Sequence, residues 1–486
     1  MSSEPRHLHP AAMLIDAIKT IRRSLSAFVV PGIAVLASRG LSIQTIVLIV
    51  LGALIVAVLA ALWGFLSWRA TTYEVSGGAF HLRRGVIQKN ERTIPLEHVQ
   101  SVDTVQGIVQ RFFGVVELRV ETAGGGTSEP DASLPALGRA DAEALRREIE
   151  GVRREPVEEA AKTTVLRRLG SRELLIAGAT SGQIGVAFSL IAVVSQLFDD
   201  LLSENLALRF FESLAPRSVA AALLLVAAFG LFAWLLAIAG TILAHAGFTL
   251  SRERGFLYIK RGLLERREAT IPLARIQAVR IVEGLLRQPF GLASLRVESA
   301  GYGEASGVST TLFPLLTRED AEKLLLDAAP EFAVAPTLAP LPARALRRYV
   351  FRTAAPVLIL GAASALVSSL AFDLAVVWGF AALLLVFPAA VYGWLRYRDA
   401  GWAYEGEILV VRSRLLARTT AVAPRRRLQS REVIVSPLQR RARLATFRAR
   451  VASGSGGAEL RVTDLGSDVA AALTKELGPR TRRGKR

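Results

Sequence analysis

Long stretches without a single charge alternate along this chain with stretches dense in arginine, and that alternation restricts it to a membrane-spanning architecture. A helix crossing a hydrocarbon core about 30 Å thick needs roughly 20 predominantly apolar residues. Arg39 and Arg69 bracket 29 uncharged residues, Glu173 and Asp199 bracket 25, and Arg217 and Arg252 bracket 34. Arg352 and Asp373 bracket 20, and Asp373 and Arg396 bracket 22. A shorter run of 15 between Arg23 and Arg39 has Pro31 in its middle and reads as a short span or a re-entrant segment. As a span it completes three hairpins: about 22–38 with 42–66, 174–198 with 218–246, and 352–371 with 374–395.

Positive charge sets the expected orientation, because Lys and Arg stay on the cytoplasmic side. Arg22, Arg23, Arg167, Arg168, Arg172, Arg344, Arg347, Arg348 and Arg352 precede hairpins, and Arg69, Arg252, Arg254, Arg396 and Arg398 follow them. The longest turn within a hairpin, about 199–216, carries Asp199, Asp200, Glu204 and Glu212 against Arg209. Both termini and all large non-membrane segments are therefore expected in the cytoplasm. No assigned span holds Asp, Glu, Lys or Arg. Ion-coupled transporters keep such groups in the bilayer, so transport or lipid handling stands as the alternative reading. His245, at the end of the fourth span, reads as an interfacial or helix-contact residue.

The segments between hairpins repeat. At an offset of 177 residues, TIPLEHVQSV (93–102) matches TIPLARIQAV (270–279) at six of ten positions. At the same offset FFGVVELRVETAG (112–124) matches PFGLASLRVESAG (289–301) at eight of thirteen. A weaker third copy has Pro424 five residues before Gln429, Arg414 at the turn glycine's place, and Arg443-Leu444 for Phe-Gly. Alternation in Glu117-Leu118-Arg119-Val120-Glu121 and Ser294-Leu295-Arg296-Val297-Glu298 predicts strands. Each unit then closes with a helix; in the second, Thr317 is the expected N-cap with Asp320 at N3. Pro95 and Pro272 suit strand starts or edges, Gly114 and Gly291 tight turns or bulges, and Gln100 and Gln277 the satisfaction of buried backbone groups.

These signals resemble the bacterial PH-like domain of the YdbS-like group: Gly85, Ile94-Pro95, Gln100 and Phe113-Gly114, recurring as Gly262, Ile271-Pro272, Gln277 and Phe290-Gly291. The resemblance implies a seven-stranded bent sheet capped by a C-terminal helix, and it brings no catalytic residues with it. The expected fold is an α+β membrane protein in which three transmembrane α-helical hairpins, about six helices, alternate with three PH-like β-sandwich or barrel domains. The expected boundaries are 1–69 (tail and hairpin 1), 70–155 (domain 1), 156–247 (linker and hairpin 2), 248–330 (domain 2), 331–398 (linker and hairpin 3), 399–476 (degenerate domain 3) and 477–486 (basic tail).

There is no cysteine, which excludes disulfides and thiolate chemistry. The five histidines form no metal-binding spacing, and no P-loop, GxSxG or paired-carboxylate pattern occurs. The expectation is a non-enzymatic scaffold without cofactor or metal. Its partners would be the bilayer, anionic lipid headgroups, proteins or its own copies, in cell-envelope stress or assembly; nucleic acid is disfavoured. The net charge of +18 is concentrated late in the chain. Arg425, Arg426, Arg427, Arg440, Arg441, Arg443, Arg482, Arg483, Lys485 and Arg486 are the candidate contacts to anionic lipid, each attracted by about 1 kcal/mol near a charged leaflet.

Overall fold

The computed structural model describes residues 5–21, 42–122, 131–151, 164–181, 218–299, 311–334, 336–371, 384–453 and 458–478. It is a mixed α/β chain with four antiparallel sheets. The three repeats have one element order. The first runs β2 (Thr72–Ser76), β3 (Ala79–Arg84), β4 (Asn90–Pro95), a 3-10 turn, β5 (Val99–Gln106), a short helix (Ile108–Phe112), β6 (Val115–Thr122), β7 (Ala132–Gly138) and a helix, Arg139–Gly151. The second runs β9 (Thr249–Glu253), β10 (Phe256–Arg261), β11 (Arg266–Pro272), β12 (Ile276–Glu283), β13 (Leu292–Ser299), β14 (Thr311–Thr317) and helix Arg318–Ala328. The third runs β16 (Gly401–Glu405), β17 (Ile408–Arg414), β18 (Arg418–Pro424), β19 (Leu428–Ile434), β20 (Leu444–Val451), β21 (Ala458–Gly466) and helix Ser467–Glu476. As expected, Thr317 caps its helix by accepting from the Asp320 N–H.

A seventh strand comes from before each hairpin. β1 (Arg6–His7) pairs with β2, β8 (Thr164–Arg168) with β9, and β15 (Ala339–Pro340) with β16. Helices Ile43–Arg69, Val219–His245 and Arg344–Ala371 are thus inserted between the first and second strands of a module rather than placed ahead of it.

The signature proline and glutamine mark the corner where the chain changes sheets. Pro95, Pro272 and Pro424 end their strands; of the places expected for the first two, strand starts or edges, Pro95 takes an edge, since β4 is the outer strand of its sheet. A proline there ends the ladder because it has no N–H to donate. After the 3-10 turn, the register slips between Val99 and Ser101, between Ile276 and Ala278, and between Leu428 and Ser430. The skipped residues are Gln100, Gln277 and Gln429, each at a bulge that bends the new strand away. Gln277 donates to the Arg275 carbonyl at 2.9 Å, whereas Gln429 is exposed.

The chain forms two compact units, 1–272 and 273–486, divided at the corner of the middle repeat. In the first unit β1–β4 form one sheet, and the other has the order β7-β6-β5-β11-β10-β9-β8. Edge strand β5 of repeat 1 pairs with β11 of repeat 2, Gln106 opposite Arg266. In the second unit the order is β14-β13-β12-β18-β17-β16-β15, with β19–β21 forming the last sheet. Here β12 pairs with β18, Glu283 opposite Arg418. Consecutive repeats therefore share a sheet, which pairs edges that would otherwise be open.

Each unit has its own core. In the first, Phe80, Leu118 and Leu134 of the two sheets and Leu145 and Ile149 of helix Arg139–Gly151 are fully buried in one cluster. In the second, Phe447, Leu409 and Leu444 of the sheets and Leu473 of helix Ser467–Glu476 form the corresponding cluster. Burying each such side chain contributes about 1.5–3 kcal/mol.

Among the described residues, two helices are long and apolar enough to cross a bilayer: Ile43–Arg69 and Ala227–His245 within helix Val219–His245. The expected count of six is not reached. The expected span 22–38 lies outside the described residues, as do 182–198 of the third and 374–383 of the sixth. The fifth falls on helix Arg344–Ala371, which contains Pro356. The stretch Gly454-Ser455-Gly456-Gly457, which in the sequence reads as a hairpin turn, also lies outside them.

One correction concerns the third repeat. Arg443, not Leu444, holds the place of Gly114 and Gly291, with φ of 49° against 68° and 62°. The pair matching Phe-Gly is therefore Ala442-Arg443. Gly85 and Gly262 take φ of 116° and 104°, and a Cβ would lie 2.0 and 1.9 Å from a backbone carbonyl oxygen. Arg414 avoids this conformation because β17 runs one residue further before its turn.

Candidate functional site

Repeats 1 and 3 build the same crevice where the hairpin helices meet the sheets. In repeat 1, residues 11–21 are helical and cross the end of Ile43–Arg69. A Cβ on Gly64 would lie 2.3 Å from the Met13 carbonyl, so glycine permits the crossing. The Trp68 indole donates to the Leu8 carbonyl at 2.8 Å, and Ser67 donates to Asp16 at 3.1 Å. In repeat 3, Arg344–Ala371 crosses Val386–Asp399 at Gly393, whose Cβ would lie 2.7 Å from the Tyr349 carbonyl. The Tyr397 hydroxyl donates to the Leu341 carbonyl at 3.2 Å, the counterpart of the Trp68 bond. Gly64 and Gly393, Ser67 and Arg396, and Trp68 and Tyr397 are each 329 residues apart, the spacing that also separates Pro95 from Pro424.

The two crevices differ in charge. The first, about 410 Å³, is lined by Asp16, Lys19, Trp63, Ser67 and Arg84, cations and an anion together. The second, about 530 Å³, is lined by Tyr349, Arg352, Arg396, Arg414, Arg461 and Thr463. Arg352 shares the buried Asp464 with Arg348, at 3.0 and 3.1 Å. Arg414 pairs with buried Asp399. Arg396 donates to the Arg414 carbonyl at 3.1 Å and lies 5.9 Å and 5.7 Å from the ring centres of Tyr349 and Tyr392. No carboxylate among the described residues pairs with it.

Beside these crevices the β-hairpin tips expose apolar side chains: Ile87 in the first repeat, Leu263 and Leu264 in the second, Leu415 and Leu416 in the third. The second and third tips are tied to the helices that end beside them. Gly262 and Leu263 donate backbone bonds to the Ala246 and Leu243 carbonyls, both at 2.9 Å. The Tyr392 hydroxyl donates to the Leu415 carbonyl at 3.0 Å. The corners before β6 and β13 join them, with Arg111 donating to the Leu263 carbonyl and Gln288 to that of Leu416, each at 3.4 Å. These corners expose Ile108 and Phe112, and Leu285, Leu286 and Phe290.

The basic residues singled out in the sequence scatter. Arg425 pairs with Glu407 at 3.1 Å and Arg426 with Glu331 at 2.5 Å. With Arg427 they form the 3-10 turn at the end of β18 away from the tip. Arg440, Arg441 and Arg443 are exposed beside exposed Leu438. Arg482, Arg483, Lys485 and Arg486 lie outside the described residues. None of the described six lines the second crevice. In the sequence Arg352 and Arg396 read only as flanks of spans, and Arg461 carries no signal.

The family described as Bacterial PH domain matches residues 25–153, 206–329 and 355–481. The chain is 32% identical over 505 aligned positions to the UPF0699 transmembrane protein YdbT of Bacillus subtilis (strain 168), covering 98% of both chains. No solved structure matches. Three matches that take up most of the chain, together with a transmembrane relative aligned end to end, place this protein in the bacterial PH-domain family.

Proposed function

We propose that the chain is a non-enzymatic, multi-pass membrane scaffold that holds its PH-like modules against the cytoplasmic face of the bilayer, where they bind lipid headgroups or proteins. The observation that carries this reading is the tip of β10–β11, hydrogen-bonded to Leu243 and Ala246 at the end of the apolar window Ala227–His245. That anchorage puts Leu263 and Leu264 level with the last turn of a spanning helix. A fully buried leucine contributes about 1.5–3 kcal/mol, so exposed leucines at that depth favour insertion at the acyl boundary over water. The other spans of the three hairpins and the cytoplasmic orientation are part of the proposal, supported by the arginines at the hairpin ends. Arg440, Arg441 and Arg443 remain leaflet contacts in this reading. Arg425, Arg426 and Arg427, a strand's length from their tip, suit a protein partner or solvent, in envelope stress or assembly.

The absence of native cysteine allows a direct depth measurement. A fluorophore on Leu264→Cys in reconstituted vesicles should be quenched strongly by lipids carrying a shallow nitroxide. One on Arg254→Cys should not, because the six residues of β10 separate the two sites by roughly 20 Å. Equal, weak quenching at both positions would show that the tips do not touch the membrane.

A further inference from the structure

We propose that the crevice of the third repeat binds a phosphate-bearing anionic headgroup of a bilayer lipid, with Arg396 as its principal contact. The inference rests on the crevice lying at headgroup depth, and otherwise on chemistry independent of the apolar tips. Four arginines line it, and their acidic partners do not balance them. Asp464 serves both Arg348 and Arg352, and Arg396 has no carboxylate among the described residues. Arg461 reaches only Glu459, at 4.0 Å, and Glu459 is held at 2.9 Å by Arg448. The excess is positive and concentrated in a concave space of about 530 Å³, within the usual size of a small-molecule site.

Arginine suits this ligand in a way that lysine does not. Its planar fork matches two oxygens of one phosphate, and its charge is permanent. The rings of Tyr349 and Tyr392 and the Arg414 carbonyl fix the Arg396 guanidinium by its face and its Nε. Its two terminal nitrogens remain to donate. The neighbourhood is interfacial in composition. Trp394 and Tyr392 precede Arg396, and Phe387, Val391 and Trp394 are exposed along one face of the helix. Acyl chains therefore have an apolar surface next to the site. The corresponding crevice of repeat 1 places Ser67 where Arg396 stands and adds Asp16, so it lacks this selectivity.

The test uses the full chain in mild detergent and isothermal titration with dihexanoyl-phosphatidylglycerol, dihexanoyl-phosphatidylcholine and glycerol 3-phosphate. The wild type should bind phosphatidylglycerol saturably and phosphatidylcholine far more weakly. Arg396→Gln should weaken phosphatidylglycerol binding about tenfold, the loss of one charged hydrogen bond, and Arg396→Lys should restore part of it. Arg461→Gln, at a half-exposed strand position, is a second variant expected to weaken binding with the fold intact. Arg426→Gln, in the 3-10 turn at the far end of β18 from the tip, should bind as wild type. Competition by millimolar glycerol 3-phosphate would support the site with a soluble phosphate as its source; no competition would support the lipid. Equal affinity for the two lipids, no saturable binding, or unchanged affinity in both the Arg396→Gln and Arg461→Gln variants would overturn the proposal. None of these outcomes bears on the depth of Leu264, so the scaffold reading stands or falls separately.

Discussion

Raising the pH from 5 to 9 should destabilise the first unit by an amount on the order of a few kcal/mol, and the double variant Asp103→Asn/Glu121→Gln should remove most of that dependence. Both carboxyls are buried on neighbouring strands, where Ser101 faces Glu121 and Asp103 faces Arg119. Burial pushes Asp103 up to about 7, against the pull of a hydrogen bond from the Thr270 N–H and the charge of Arg146. Burial, with Asp103 and Asp131 nearby, pushes Glu121 up to about 8. In the unfolded chain both titrate near pH 4. Between about pH 4 and 8 the folded state therefore holds more protons, and its stability falls as pH rises through that window. Below about pH 4 the contribution is complete; above about 8 it is gone. Asp103 accepts from Thr270 at 3.0 Å just beyond the last paired residues of β5 and β11, Thr104 and Glu268. Ionising it charges the join between two repeats. Melting followed by tryptophan fluorescence across this range would measure the effect. A flat profile in the wild type would contradict it.

Asp464→Ala should cost about 3–5 kcal/mol, the usual penalty for removing one side of a buried ion pair. Asp464 is fully buried and accepts from Gln439 at 2.8 Å and from Arg348 at 3.1 Å, with Arg352 at 3.0 Å. It ties the start of the third hairpin to the bulge of β21, where the register slips opposite Ala445 and Phe447. Its φ of 59° is one that Asp and Asn adopt more readily than Ala, adding about 1 kcal/mol to the alanine cost. Asp464→Asn keeps the shape and the backbone preference, so its cost isolates the charge. Denaturant titration should rank wild type above Asn above Ala. A loss below about 1 kcal/mol in the alanine variant would show that Arg348 and Arg352 are adequately solvated without it.

Repeats were legible because the residues that turn the chain between sheets are chemically restricted. A proline that ends one strand and a glutamine at the following bulge recur at fixed spacing. The closing helices were legible from their caps and apolar stripes. The sharing of sheets between repeats was not, because alternation in β5 or β11 identifies a strand without naming its partner. Two-residue strands such as Arg6–His7 and Ala339–Pro340 are too short to carry any period, and a hairpin separates each from its partner. The basic crevice was hidden for a different reason. Arg352 and Arg396 sit at hairpin ends, where the positive-inside tendency already accounts for arginine, and Arg461 lies over 60 residues further on. Only the fold brings them to one place. The clustered arginines that did stand out, Arg425 to Arg427, are partly neutralised by Glu407 and Glu331.

The central claim is that hairpins and PH-like modules alternate with every module on the same side of the membrane. Glu97, Ala274 and Arg426 occupy equivalent exposed positions in the three 3-10 turns, and a cysteine at each can be tested singly in an otherwise cysteine-free chain. All three should react with a membrane-impermeant maleimide in inside-out vesicles and not in intact spheroplasts, with Asn205→Cys showing the reverse. Reaction of any one of the three from the opposite face to the other two would break the alternation.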